Sequence, residues 1–174
     1  MPFAHVTARA SLRVRHERPY DFDQQRGLWL YKRVDDDEEY GNIVTNAGRV
    51  AIHTFIYGTP AQRTTAGLGT GLNFIGLSNS GTAPAAGDTA LTDELTANGL
   101  QRVLGTVSLP TGSGAITQIQ KEFAYTGGGT QGVQKTALFD AITAGNMAHE
   151  ILFTQRTLAT SDTLTLIFSI TVGA

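Results

Sequence analysis

Residues of the types that perform catalysis or bind metals are present in this chain, but their spacing predicts no active site. Residues 76–81 place Ser78 in a sequence similar to a nucleophile elbow, G-x-S-x-G. Ser80 stands where the second glycine is required, and Thr-Ala-Pro follows in place of a helix, so the stretch is read as a turn. The histidines show no i, i+2 or i, i+4 pair of the kind that builds a local zinc site. They are His5, His16, His53 and His149.

Two other stretches have compositions found in ligand-binding loops. Residues 67–71 are rich in glycine but lack the Lys-Ser/Thr pair of a phosphate loop and the spacing of a dinucleotide fingerprint. The acidic residues 35–39 could attract calcium, yet the alternating ligands, the glycine and the terminal glutamate of a calcium loop are missing. We interpret the first as a flexible loop and the second as solvated charge, with docking of a basic partner as the alternative. No catalytic, cofactor-binding or metal-binding residue is predicted.

A binding role is predicted for one set of side chains near the N-terminus. Arginine spacings of four and two residues place these side chains along one side of an extended or partly helical arm, where they could meet an acidic neighbouring surface. An ordinary mixed-charge tail is the alternative. The only tryptophan lies in the predicted strand 27–33 that follows. The predicted partner-binding residues are Arg9, Arg13, Arg15, Arg18 and Trp29.

The distribution of charge divides the chain into two zones. Residues 1–40 carry 15 of the 28 charged side chains, while residues 41–174 are rich in Thr, Ser, Gly, Gln and Asn. A strand of four to six residues is possible around residues 12–15, but too little apolar surface is present to hold it alone. We therefore predict a charged N-terminal arm over 1–40, with the first 25 residues ordered only against a neighbour, and a β-sandwich domain over 41–174.

Composition excludes several classes of protein. At 174 residues the chain can bury a sizeable core, and 16% charged residues with 20 glycines are typical of a turn-rich β protein. The net charge of -2 argues against non-specific binding of nucleic acid. The absence of cysteine excludes disulfides and thiolate metal sites. No apolar run of 18 residues and no apolar signal core occurs, so neither membrane insertion nor secretion is predicted.

A single helix is predicted near residues 45–57. Thr45 or Asn46 is the expected N-cap, and Gly58 followed by Pro60 is the expected end. The apolar residues between them recur with the spacing of one helical face, namely Ala47, Val50, Ala51, Phe55 and Ile56.

Beyond this helix, short apolar segments separated by Gly, Asn or Pro turns predict antiparallel strands. The clearest is 162–172, in which Leu164, Leu166, Phe168, Ile170 and Val172 alternate with polar residues expected to face water. The other predicted strands are 74–77, 101–109, 115–125 and a hairpin of 133–141 with 147–154. Together they predict an all-β, jelly-roll-like antiparallel sandwich with one short helix and an extended arm.

Four motifs occur in an order that resembles a group of small tailed-bacteriophage virion proteins. They are NIVTNAG at 42–48, NFIGLSNSGTAPAAGDTALTDEL at 73–95, KTALFD at 135–140 and SDTLTL at 161–166. The group shares a "lvTnaG" helix start, a "gTaPaa.dTaL..E" loop, a "glFda" strand and a "GDtLt" final strand. Ser161 replaces the usual glycine of the last motif, a change at a turn. The resemblance covers residues 42–174 and implies a structural part of a phage particle.

The sequence therefore predicts a noncatalytic virion protein, most simply a capsid cement or decoration protein that stabilises the head lattice through its arm and β domain. The alternative is a tail, fibre or baseplate component involved in binding a host receptor, although the repeated or coiled-coil shaft of a fibre is missing. The expected partners are the major capsid protein or neighbouring virion subunits, with self-association into dimers or trimers. No cofactor, nucleic acid or membrane is expected, and the predicted location is the virion, after synthesis in the host cytoplasm.

Overall fold

In the part of the chain that the structure describes, the secondary-structure elements are all β-strands. The computed structural model describes residues 8–23, 28–33, 38–41, 43–45, 48, 71–108 and 116–172. In these ranges the strands are β1 (Ala8–Asp23), β2 (Leu28–Arg33), β3 (Glu38–Gly41), β4 (Ile43–Val44), β5 (Phe74–Ser78), β6 (Val103–Leu104), β7 (Thr106–Ser108), β8 (Ile116–Ala124), β9 (Gln131–Phe139), β10 (Met147–Leu158) and β11 (Thr163–Val172).

The strands form two antiparallel sheets. Sheet A has the order β2-β1-β11-β8-β7, with β3 also paired to β1, and sheet B has the order β4-β10-β9-β5-β6. Four of the pairs are nested in sequence: β1 with β11, β4 with β10, β5 with β9 and β7 with β8. The chain therefore resembles one long hairpin. Some of its nested strand pairs lie in sheet A and the others in sheet B. The prediction of an all-β, antiparallel fold is confirmed.

Both sheets contribute side chains to a shared hydrophobic cluster. On β11 three of the residues predicted to face inward, Leu164, Leu166 and Phe168, are fully buried. Burying each such side chain contributes roughly 1.5–3 kcal/mol. The cluster contains Leu12, Val14, Ile119, Phe123, Leu164, Leu166 and Phe168 from sheet A, and Ile75, Leu77, Val133, Leu138, Ile151, Phe153 and Leu158 from sheet B.

The polar residues of β11 are more deeply buried than its sequence predicts. Thr163 and Thr165 were expected to face water, but they are 8% and 5% exposed. The strand lies inside sheet A, and its register places Arg15 of β1 and Glu122 of β8 on either side of Thr165. Long side chains on both neighbours can cover a short threonine, which alternation alone does not reveal.

Part of the predicted arm lies within sheet A. Strand β1 pairs with β11 from Ala8–Val172 to Glu17–Thr163, and its Leu12 and Val14 are fully buried. The expectation that the first 25 residues are ordered only against a neighbour therefore differs from the structure for residues 8–23. The reason is that the apolar partner surface that β1 lacks locally is supplied by β11. The division into domains at residue 40 stays a prediction.

The predicted strand 101–109 is two strands in different sheets. Strand β6 pairs with β5 in sheet B, and β7 pairs with β8 in sheet A, with Gly105 between them. The Gly105 N–H donates to the Asn73 carbonyl at 2.8 Å, and a Cβ there would lie 2.6 Å from Ile119 Cγ2. The chain can pass between the sheets at this point because the residue has no side chain.

The predicted helix at 45–57 lies outside the described residues, apart from Thr45 and Gly48. The Gly48 N–H donates to Thr45 Oγ1 at 3.0 Å, which is the contact that an N-cap side chain makes with the third helical residue. The Thr45 N–H donates to the Ala148 carbonyl at 3.1 Å, so Thr45 is anchored on β10. The helix itself stays a prediction.

Candidate functional site

Residues 79–102, here called the covering segment, pack on the outer face of sheet B. Leu91 of this segment joins a second hydrophobic cluster with Ala137, Phe139 and Met147, and Phe74 packs against it. The Leu95 N–H donates to the Leu77 carbonyl at 2.8 Å. The outer face of sheet B is thus shielded from water, so charged groups placed on it are desolvated.

Arg102 fastens the end of the covering segment. Its Nε and Nη2 donate to the two carboxylate oxygens of Glu94, each at 2.7 Å, in a bidentate ion pair. Its Nη1 donates to the carbonyls of Ala141 and Ala144 in the β9–β10 loop, at 3.1 and 2.6 Å. The guanidinium lies 3.4 Å from the centre of the Phe139 ring. One side chain therefore ties the covering segment to the β9–β10 loop.

A buried ion pair lies on the same face of sheet B. Lys135 Nζ is 3.1 Å from Glu150 Oε1, and both side chains are 1% exposed. Register places Glu150 opposite Ala137, so Lys135 and Glu150 are diagonal neighbours on β9 and β10. Glu150 Oε2 is buried and accepts no hydrogen bond from an N–H or O–H group. Negative charge on this oxygen of Glu150 is therefore not stabilised by a hydrogen-bond donor.

Asp88 of the covering segment forms the third member of this cluster. Burial and a hydrogen bond with Asp88 raise the pKa of Glu150, against the opposing effect of Lys135. The pKa of Asp88 is lowered, first by the N–H of Ala85, which donates to its Oδ2 at 2.8 Å, and then by Glu150. A hydrogen bond between two carboxyl groups requires one of them to hold the proton. The opposite directions of the two pKa shifts favour Glu150 as the group that holds this proton.

His149, beside Glu150 in the chain, is a buried neutral imidazole. Its residue is 2% exposed, and burial lowers the pKa of His149 to about 4. Among the residues that the structure describes, no group of three or more His, Cys, Asp or Glu side chains is placed to hold a metal ion.

Asp162 organises a separate cluster at the β10–β11 turn. Its Oδ2 accepts hydrogen bonds from His16 Nε2 at 2.8 Å and from the Ala159 N–H at 2.9 Å. Arg18 donates to both carboxylate oxygens, each at 2.9 Å. Burial alone would raise the pKa of Asp162, but the hydrogen bonds from Arg18, Ala159 and His16 outweigh it and hold the pKa below its usual value. Asp162 thus fixes β1 to the turn that starts β11.

The predicted partner-binding residues do not form one cluster. Arg13 is exposed and Arg15 is half-buried, and both alternate with the buried Leu12 and Val14 on the outer face of sheet A. Arg18 is bound to Asp162 instead. Arg9 lies in β1 opposite Thr171, and Trp29 lies in β2 opposite Phe22.

Ser78, the nucleophile of the elbow-like stretch, is fully buried. Its Oγ donates to the Thr92 carbonyl and accepts the Ser80 N–H at 2.9 Å. The Oγ therefore holds the covering segment against β5.

Comparison with known proteins gives no family assignment. No family model matches the chain, and a search of curated proteins finds no match either. In the part of the chain that the structure describes, no helix is long and apolar enough to span a bilayer.

The polar clusters on sheet B were not predicted from sequence. Lys135 and Glu150 occupy β-strand positions where charged residues ordinarily face water. The available signal is weak: both are charged residues next to apolar runs, in a β domain that carries few charges. Asp162 and Glu94 belong to the quoted motifs, but the spacing of those motifs does not reveal their partners, Arg18 and Arg102.

Proposed function

We propose that this protein is a noncatalytic structural component of a tailed-phage particle, bound in many copies as a decoration or cement protein on the head lattice. The proposal starts from the four ordered motifs and their resemblance to small virion proteins. It requires neither a cofactor nor a catalytic group.

The observation that carries the proposal is that each motif contains a polar residue that makes internal contacts. Thr45 bonds to the backbone of β10, and Ser78 bonds to Thr92. Asp140 accepts two hydrogen bonds of 2.7 Å from Asn146 and closes the β9–β10 loop. Asp162 joins β1 to β11. Motif residues that build a framework suit a protein whose task is structural, whereas an enzyme would direct such residues at a substrate.

The proposal includes a jelly-roll-like sandwich as the finer description of the fold. Nested pairing of β1–β11, β4–β10, β5–β9 and β7–β8, distributed over two sheets, supports a folded double-sheet arrangement. The shared cluster between the sheets supports face-to-face packing. Double-sheet jelly rolls are an architecture used in viral capsids, although many unrelated functions share it.

The proposed attachment surface is the outer face of β1. Arg13 and Arg15 lie there beside the polar surface of sheet A, where guanidinium groups can pair with carboxylates of the major capsid protein or a neighbouring virion subunit. Arg9 and Trp29 complete the proposed set, and self-association into dimers or trimers would repeat the surface across a lattice. Contacts between exposed charges weaken as salt screens them.

The proposal is tested by mixing purified protein with separated heads and tails that lack it, then sedimenting each. We expect saturable binding to heads that decreases as salt increases, and weaker binding for Arg13→Glu than for the control Lys121→Glu on β8. Binding only to tails would favour the receptor-binding alternative, and binding to neither would contradict a virion role.

A further inference from the structure

The three-residue cluster on the outer face of sheet B has the composition and geometry for a covalent reaction. A lysine amine lies 3.1 Å from a carboxyl oxygen, both side chains are 1% exposed, and the interaction with a second carboxyl group, that of Asp88, raises the pKa of the first. The covering segment keeps bulk water away from the reacting atoms. None of these contacts is needed for the proposed virion function, so the inference stands independently of it.

We propose that Lys135 and Glu150 condense to form an intramolecular isopeptide bond between β9 and β10, with Asp88 as the general base. The new bond joins Lys135 Nζ to Glu150 Cδ. It would replace a buried ion pair by a neutral amide.

The reaction balances without any co-reactant. The reacting form of the cluster has an ammonium on Lys135, a carboxylic acid on Glu150 and a carboxylate on Asp88, which is the proton distribution that the directions of the two carboxyl pKa shifts favour. Asp88 takes one proton from the ammonium through the Glu150 carboxyl group, and the freed amine lone pair adds to Glu150 Cδ. The C–O bond then breaks, and the oxygen leaves as water. The products are one amide, one water molecule and a protonated Asp88, which returns its proton to solvent.

Burial and proximity both favour this condensation. In water an amine and a carboxylic acid exist as separate ions, and desolvating them is unfavourable. Burial and Asp88 raise the pKa of Glu150, which favours its neutral, electrophilic form. Effective molarities of well-oriented intramolecular groups reach about 10⁵–10⁸ M, which can offset the unfavourable equilibrium for amide formation in dilute solution.

The position of the bond gives it a structural effect. Glu150 and Lys135 are diagonal neighbours across β9 and β10, so the amide would cross-link the two strands beneath the covering segment. A link of this kind keeps the β9–β10 hairpin closed when its hydrogen bonds open.

The test is the intact mass of the purified full-length protein, measured under denaturing conditions after incubation at neutral pH. We expect a mass lower than that of the sequence by one water molecule, and a branched proteolytic peptide that contains both Lys135 and Glu150. The full sequence mass after prolonged incubation would overturn the proposal.

Three variants identify the reacting groups. Lys135→Met should retain the full mass of its sequence, whereas the matched control Lys121→Met should still lose water. Loss of water by Lys135→Met would show that the dehydration occurs elsewhere and would also overturn the proposal. Asp88→Asn, at a half-exposed position, should form the bond at least tenfold more slowly, and an unchanged rate would eliminate Asp88 as the base. If Lys135→Met does not fold, the branched peptide of the wild-type protein decides the result.

Discussion

At the scale of single residues, the most informative group is Asp162. A fully buried carboxylate is unfavourable unless it is paired, and here Arg18, His16 and the Ala159 N–H supply four hydrogen bonds. The carboxylate joins residues that are more than 140 positions apart in the chain. Its role is to fix the first strand of the sheet against the last.

We expect Asp162→Asn to destabilise the fold by about 2–3 kcal/mol, because Arg18 and His16 lose a charged hydrogen-bond acceptor. Water partly screens Arg18, which limits the size of this loss. The measurement is chemical denaturation at neutral pH. Glu122→Gln on the exposed side of β8 is the matched control and should change stability by less than about 0.5 kcal/mol. An effect of Asp162→Asn below about 0.5 kcal/mol, as small as that expected for the control, would show that the Asp162 cluster is not stabilising.

Two groups make the fold sensitive to acid. The pKa of His149 is lowered from 6.5 to about 4, so folding favours its neutral form, and that stability is present above pH 6.5 and lost as pH falls toward 4. The shift corresponds to roughly 3 kcal/mol. Asp162, whose pKa is also lowered, contributes stability that is lost below its ordinary value of 3.8.

The His149 contribution is measured by comparing stability at pH 7 and pH 4.5. The wild-type protein should lose stability over this interval, and His149→Gln should lose less because it does not titrate. An identical loss in both proteins would assign the acid sensitivity to other groups.

These residue-scale features could be predicted from the sequence only in part. The motif at 161–166 marks Asp162 as belonging to a turn. The partners of Asp162, Lys135 and Arg102 could not be derived, because each pair is brought together by strand register, and register depends on the whole sheet.

At the scale of elements, Gly105 separates two strands that the sequence predicts as one. Periodic apolar residues at 103, 107 and 109 indicate a continuous strand, but they carry no information about which sheet each half joins. The reason for the break is steric, since the backbone passes close to Ile119 and Asn73 where no side chain fits.

We expect Gly105→Ala to destabilise the protein by about 1–3 kcal/mol, since the added Cβ would lie 2.6 Å from Ile119 Cγ2 and force a local shift. Gly128→Ala is the control, because a Cβ there meets nothing within 4 Å. Both are compared by thermal unfolding. If Gly128→Ala lost as much stability as Gly105→Ala, the loss would come from replacing glycine in general and not from the passage of the chain between the sheets at Gly105.

Strand β1 shows how context overrides local composition. The alternation of Leu12 and Val14 with Arg13 and Arg15 is that of a half-buried strand, yet its local apolar surface is small and its charge density is high. What the charge pattern could not reveal is that β11 lies beside it and presents a complementary apolar face.

We expect Leu12→Ala to cost about 2–5 kcal/mol, as for a fully buried leucine. Arg13→Ala, one residue away on the exposed face, should cost less than about 0.5 kcal/mol. Denaturant midpoints give both values. If Leu12→Ala were as mild as Arg13→Ala, the N-terminal strand would be a detachable arm after all.

At the scale of the whole molecule, the sequence predicted the class of fold but not the pairing of the first strand with the last. Turn-rich composition and period-2 alternation were sufficient to predict antiparallel sheets. The nested pairing joins the first strand to the last, and such long-range contacts leave no local signal. The same connectivity leaves Arg13 exposed on the outer face of sheet A, which is the face proposed for attachment.

The most direct test of the virion proposal is antibody labelling of intact, purified phage particles, viewed by electron microscopy. The account predicts label distributed over the head surface, with many copies per particle when the protein is quantified by mass spectrometry. Absence of the protein from purified particles, by both labelling and mass spectrometry, would contradict it.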